Sequence, residues 1–93
     1  MTEEFRHDRD AGRFEVWVAG EFAGEATYLL RGNVAVFDHT WVEPQRRHTG
    51  LASRLVQFGF DEVRREGEWL IRPQCPYVVD WAARHQEYGD LVA

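Results

Sequence analysis

The stretch RRHTGLASRL, Arg46 to Leu55, decides how this chain is read. Two arginines, a histidine and a threonine lead into a glycine, and the hydrophobic period then changes. From here Leu51, Ala52, Leu55, Val56, Gly59 and Val63 fall on one helical stripe, with Arg54, Gln57, Asp61, Glu62 and Arg65 largely opposite. Thr49 is the expected N-cap, and Gly50 lets the backbone turn closely. Gly67 stands where a helix C-terminus favours glycine.

Upstream the period is two. RFEVWV (Arg13 to Val18) puts Phe14, Val16 and Val18 on one face. AGEF (Ala19 to Phe22) reads as a compact turn, GEATYLL (Gly24 to Leu30) as a strand, and RGN (Arg31 to Asn33) as a hairpin turn. VAVFDHTWV (Val34 to Val42) is apolar on both faces, as expected of a central strand. Phe5 to Asp8 is a candidate further strand. Trp17 and Trp69 read as sheet residues that fill the core.

Downstream, EWLIR (Glu68 to Arg72) reads as a short strand. PQCPY breaks it, and YVVDWAARH (Tyr77 to His85) reads as a shorter helix. The expectation is one α+β domain over residues 1–93: a mostly antiparallel sheet of about five strands, a long helix packed on it and a short C-terminal helix.

The totals narrow the function. A chain of 93 residues with 44% hydrophobic and 14% aromatic content suits one packed core. The formal charge of −5 disfavours a polyanionic partner such as nucleic acid. One cysteine excludes an internal disulfide, and the four histidines give no zinc spacing, so no metal is expected. The charged start MTEEFRHDRD and the lack of a long apolar run point away from a membrane and towards a reducing cytoplasm. Nothing in the sequence sets the oligomeric state.

The opening stretch also carries chemistry. Free N–H groups at the helix start, with the positive end of the dipole behind them, form a site suited to phosphate. Arg46 and Arg47 add local positive charge. Taken alone, the stretch reads first as an ordinary exposed turn with an ordinary cap.

The order of elements around it adds specificity. VEPQRRHTGLA (Val42 to Ala52) resembles the acetyl-coenzyme A signature of the Gcn5-related N-acetyltransferases, in which an Arg/Gln-x-x-Gly-x-Gly/Ala turn follows a strand. Arg47, Gly50 and Ala52 match, and His48 stands where many members carry another glycine. The likeness extends to a small single-domain subfamily through His39, Thr40 and Val42, then Pro73, Cys75 and Tyr77, then Trp81, His85, Glu87 and Tyr88. It spans roughly Phe14 to Val92.

The resemblance implies a minimal fold of that superfamily, acetyl-coenzyme A as acyl donor and an amine as acceptor. It implies that Arg47, His48, Thr49, Gly50, Leu51, Ala52 and Ser53 hold the pyrophosphate, and that Trp41 and Val42 contact the pantetheine arm. Trp41 equally suits core packing. Pro76 fits the first helical position, which puts Cys75 at an N-cap, where a thiolate is stabilised. Cys75 is therefore a candidate nucleophile or relay, or else a small buried hydrophobe. His39 is either a hydrogen-bonded core histidine or, if a bulge between Asp38 and Thr40 redirects it, the base that deprotonates the amine. His85, Glu87 and Tyr88 either close over the site or pack the last helix. Only DAG (Asp10 to Gly12) stands where larger members insert helices, so the acceptor side is expected to be open. Two functions stay in view: an N-acetyltransferase acting directly or through Cys75, and a non-catalytic acyl-coenzyme A-binding module. An interaction domain with a purely structural turn is a third.

Overall fold

The computed structural model describes residues 2–93. Five strands, β1 (Glu3–Asp8), β2 (Arg13–Val18), β3 (Glu21–Arg31), β4 (Val34–Val42) and β5 (Leu70–Pro73), form one sheet in sequential order. The first four make an antiparallel meander, and β5 lies parallel to β4 after the crossover helix α1 (Leu51–Glu66). Helix α2 (Pro76–Arg84) and a 3-10 turn (Gln86–Leu91) complete the chain. The expected α+β architecture is borne out, and the strand between Phe5 and Asp8 extends back to Glu3.

Some boundaries move. The turn before β3 is shorter than expected, because Ala19 and Gly20 take left-handed backbone angles and let β3 start at Glu21. Glu68 and Trp69 precede β5 rather than opening it. Among the described residues no helix is long and apolar enough to cross a membrane.

The core lies between the sheet and the two helices. Phe14, Phe37 and Phe60 are fully buried, with Phe37 stacked on Phe14 at 5.6 Å and edge-on to Phe60 at 5.3 Å. Each buried ring contributes roughly 2–3 kcal/mol by removal from water. Gly59 lets α1 come this close: a Cβ there would lie 3.0 Å from the Phe14 ring and 3.2 Å from Phe37.

Two bulges reset which side chains face that core. In β4, Tyr28 pairs with Phe37 while Thr27 pairs with His39, so Asp38 is an extra residue. One extra residue inverts the alternation downstream. Ala35 and Phe37 point inward before the bulge, and Val42 does so after it. His39 is left exposed. Ala23 plays the same part in β3, opposite Val16 and Trp17. Trp17, opposite Phe14, Val16 and Val18 in the regular alternation of β2, is half-exposed on the helix-free face, edge-on to Phe22 and under the Arg6 guanidinium, instead of filling the core. Trp69 packs on the core margin against His7 and Tyr28 from just before β5, not from within a strand.

Candidate active site

The parallel pairing of β4 with β5 ends early. It runs from Val34 and Leu70 to Phe37 and Pro73, after which the Gln74 and Cys75 N–H groups both donate to the Phe37 carbonyl, at 3.0 and 2.9 Å. The chain then turns into α2, and β4 continues to Val42 with no β5 partner beside it. Glu43 N–H donates to Ala23 O at 2.8 Å, so alternation along the strand turns the backbone groups of Val42 and Thr40 away from β3, towards the gap. By the same rule the Trp41 backbone faces β3, opposite Glu25.

The helix start beside this gap differs from its expected cap. Gly50 is the N-cap, at φ 83°, and no side chain caps the first turn. Thr49 instead donates its hydroxyl to Arg46 O at 2.6 Å, inside the preceding 3-10 turn (Pro44–Arg46). A side chain that closes one turn cannot cap the next. Arg54 N–H, bonded to Gly50 O at 3.1 Å, is the first amide with an intrahelical partner, so those of Leu51, Ala52 and Ser53 have none. His48 also lies in the left-handed region, at φ 65°. The backbone there follows a path glycine would take freely, imposed here on a residue with a side chain.

Strand gap and turn share one cavity of about 380 Å³. Trp41, Val42 and Thr40 line its strand side, and Arg47, His48, Gly50, Leu51 and Ala52 its turn side. Arg46 and Tyr77 complete the wall. The two arginines differ. Arg46 is held by Glu21 at 3.5 Å and Glu43 at 3.7 Å, whereas Arg47 donates Nε to Val42 O at 3.1 Å. Among the described residues no carboxylate pairs with Arg47, which leaves its charge available to an anion.

The remaining sequence candidates lie around this cavity rather than in its wall. Cys75 is the N-cap of α2, as expected from Pro76, and is half-buried. Its thiol donates to Thr40 Oγ1 at 3.7 Å, one side chain removed from the cavity. His39 stands exposed beyond the bulge, where Thr27 donates to Asp38 at 2.6 Å. Thr49 and Ser53 do not line the cavity. Ser53 accepts the Trp81 indole N–H at 2.9 Å.

His85 stacks on Trp81 at 3.8 Å, with Nδ1 against Trp81 O at 2.7 Å. Tyr88 is buried and donates to Asp61. Burial first, and that carboxylate second, push its phenol up to about 12. These residues pack the C-terminal turn. His7, at the other end of the sheet, is half-buried against Phe14 and bonds Tyr28 at 2.7 Å, and burial pulls its imidazole below the ordinary range.

Tyr77, like Thr40, is a wall residue that sequence reasoning gave as a motif position without a role in the site. Burial pushes its phenol above the ordinary range, against the opposing effect of the Ser53 hydroxyl, so it is protonated at neutral pH. Its place in the motif, two residues after Cys75, was visible. That α2 would turn it towards the β4 gap was not.

Among the described residues no three His, Cys, Asp or Glu side chains gather as a metal site would require. A family model described as GCN5-related N-acetyl-transferase matches residues 13–91. No curated protein matches the chain. Among solved structures, the ribosomal-protein-S18-alanine N-acetyltransferase from Escherichia coli is similar at TM-score 0.58 and 22% identity, over 63% of this chain and 38% of that one. The ribosomal-protein-alanine N-acetyltransferase from Brucella melitensis biovar Abortus 2308 is similar at TM-score 0.57 and 18% identity, over 87% of this chain and 60% of that one. The chain thus spans less than two thirds of either, and the likeness at this identity is one of fold.

Proposed function

Because the chain belongs to the GCN5-related N-acetyltransferase family, we propose that it moves an acetyl group from acetyl-coenzyme A to a primary amine. One observation carries this reading. The unpaired edge of β4 at Thr40 and Val42 opens into the same cavity as the uncapped start of α1. An extended pantetheine arm can hydrogen-bond along such an edge as an added strand would. The Val42 and Thr40 N–H groups are the free donors there. The α1 amides and Arg47 meet a pyrophosphate at the far end, where its charge is favourable.

The chain's own residues supply the rest. An amine such as lysine, with a pKa near 10.4, must lose a proton before it attacks. His39, exposed beside the cleft, or a water serves as that base. Tyr77, protonated and in the cavity wall, returns a proton to the departing sulfur. Direct transfer fits the site better than transfer through Cys75, whose thiol is turned to Thr40. The short Asp10-to-Gly12 connection leaves the acceptor side open to a large amine-bearing partner.

A second reading, a non-catalytic acyl-coenzyme A-binding module, is favoured by one fact: neither Cys75 nor His39 lines the cavity. Incubation with labelled acetyl-coenzyme A and a panel of primary amines separates the two. Transfer to an amine that survives Cys75→Ala and slows in His39→Ala is the expected result. Tight binding with no turnover supports the module, and absence of calorimetric binding by the parent protein overturns both.

A further inference from the structure

The face of the sheet turned away from α1 and α2 carries a row of rings outside the core. Trp17 meets Phe22 edge-on at 5.5 Å, and Phe22 stacks on Trp41 at 5.9 Å, so the row crosses β2, β3 and β4. All three stay half-exposed. A fixed platform holds them. Glu15, only 6% exposed, accepts the Trp17 indole N–H at 3.0 Å and Arg13 Nε at 2.7 Å. Arg13 reaches on to Glu25 at 3.1 Å. Rings set in place before a partner arrives lose little freedom on binding.

Two of these rings already seat cations. The Arg6 guanidinium lies 4.7 Å from the Trp17 ring centre, and that of Arg13 lies 5.5 Å from Phe22. Among the described residues no guanidinium lies over Trp41, the end of the row that forms a wall of the cavity. Local charge favours the same kind of guest. Cross-strand register and the Thr27–Asp38 bond place the carboxylates of Glu4, Glu15, Glu25 and Asp38 around the rings, where they outnumber the guanidinium groups of Arg6 and Arg13. Arg31 and Arg72 stand at the far corner of the face, across from Val34 and Val36.

A guanidinium suits both features, since it stacks on aromatic planes and forks onto carboxylates. The spacing suits an extended chain, whose every second side chain falls on one side, about 6.7 Å apart. That is close to the pitch of the rings. We propose that this face docks an extended, arginine-rich segment of another protein, with alternate side chains laid along Trp17, Phe22 and Trp41. The reading stands apart from acetyl transfer, because it asks nothing of the cofactor turn, Cys75 or His39.

The probe is an end-blocked peptide of alternating arginine and glycine, which has no amine to accept an acetyl group. Its citrulline counterpart keeps the shape without the charge. Of the four tryptophans, Trp17 and Trp41 belong to the row, whereas Trp69 packs on the core margin and Trp81 is buried. NMR titration of the parent protein should move the indole N–H signals of Trp17 and Trp41 and leave the other two in place. The citrulline peptide should bind about tenfold more weakly, as the loss of several surface charge contacts together would give, and added salt should weaken the arginine peptide. Phe22→Leu keeps an apolar side chain in mid-row and should weaken binding about threefold, the size of one partly exposed cation–π contact. Indole signals of Trp17 and Trp41 that stay put, or movement at Trp69 instead, overturn the proposal. So does equal binding of the citrulline peptide, or full affinity in Phe22→Leu. If dilution of the parent alone shifts the Trp17 and Trp41 signals, the face pairs with a second copy and the proposal fails. A parent that binds the peptide but transfers acetyl to no amine loses the function proposed above and keeps this one.

Discussion

The two ends of α1 are built in opposite ways. At the C-terminus Gly67 takes the left-handed cap and its N–H bonds Val63 O at 3.0 Å. Arg64 grips Asp90 through two nitrogens, at 3.0 and 2.9 Å, and Tyr88 donates to Asp61. Basic side chains there also oppose the dipole. At the N-terminus no side chain caps the first turn, His48 and Gly50 both hold positive φ, and the adjoining β4 edge has no partner. One end is closed by its own side chains; the other has amides unmet and a charge at Arg47 unpaired. Side-chain and backbone bonds gather at the closed end, and unmet hydrogen-bonding capacity where a phosphate is expected to go.

That contrast can be broken most sharply at Gly50. In Gly50→Glu the new side chain would enter a strained φ, its Cβ would lie 3.0 Å from an Arg54 nitrogen, and its carboxylate would stand where an anion is expected. Affinity for acetyl-coenzyme A should fall by about 100-fold or more, read by calorimetry, as expected when like charge replaces a charge-assisted contact. Equal binding by parent and variant would remove the functional meaning of the open end.

The middle of the helix tests packing alone. Gly59→Val should cost about 3 kcal/mol, because two fully buried rings at 3.0 and 3.2 Å have no room to yield. Denaturant midpoints report it, and a cost below about 1 kcal/mol would mean the sheet and helix are less tightly joined than described.

The closed end should show in alkaline stability. The Tyr88 phenol is raised from 10.0 to about 12 in the folded state, so the folded form holds its proton longer than the unfolded chain. Its contribution is complete below about pH 10 and is lost as pH rises towards 12. Thermal unfolding of the parent should therefore weaken across that window more steeply than that of Tyr88→Phe, which should also cost about 1 kcal/mol at neutral pH. Parallel curves would show that Tyr88 does not secure this end.

The smallest effect is expected at His48. With φ at 65°, His48→Gly should stabilise by up to about 1 kcal/mol, while binding of acetyl-coenzyme A stays within about twofold. Loss of binding in this variant would assign the imidazole, rather than the backbone path, a part in the site.

Much of this was legible along the chain. Alternation in RFEVWV placed Phe14, Val16 and Val18 inward, and the 3.6-residue stripe from Leu51 to Val63 placed α1 on them. Gly67 and Pro76 marked helix ends because their backbone chemistry admits few other places. Thr49 misled for a physical reason. Its hydroxyl had two turns within reach and closed the earlier one. Trp17 misled because aromatic size was weighed above the alternation of RFEVWV, which turns it away from Phe14, Val16 and Val18. For His39 the two readings turned on a bulge at Asp38, one residue long, which leaves no trace in a hydrophobic pattern yet inverts the side chains beyond it.

The sequence by itself determined the succession of elements, the helix stripe, and a turn whose residue types suit an anion, since these rest on local periodicity and backbone preference. Only the tertiary structure decided that β5 leaves β4 at Phe37, that the freed edge and the α1 turn share a cavity, and that Tyr77 reaches it from α2. Those are meetings of segments tens of residues apart, fixed by how a twisted sheet and two helices close over one core.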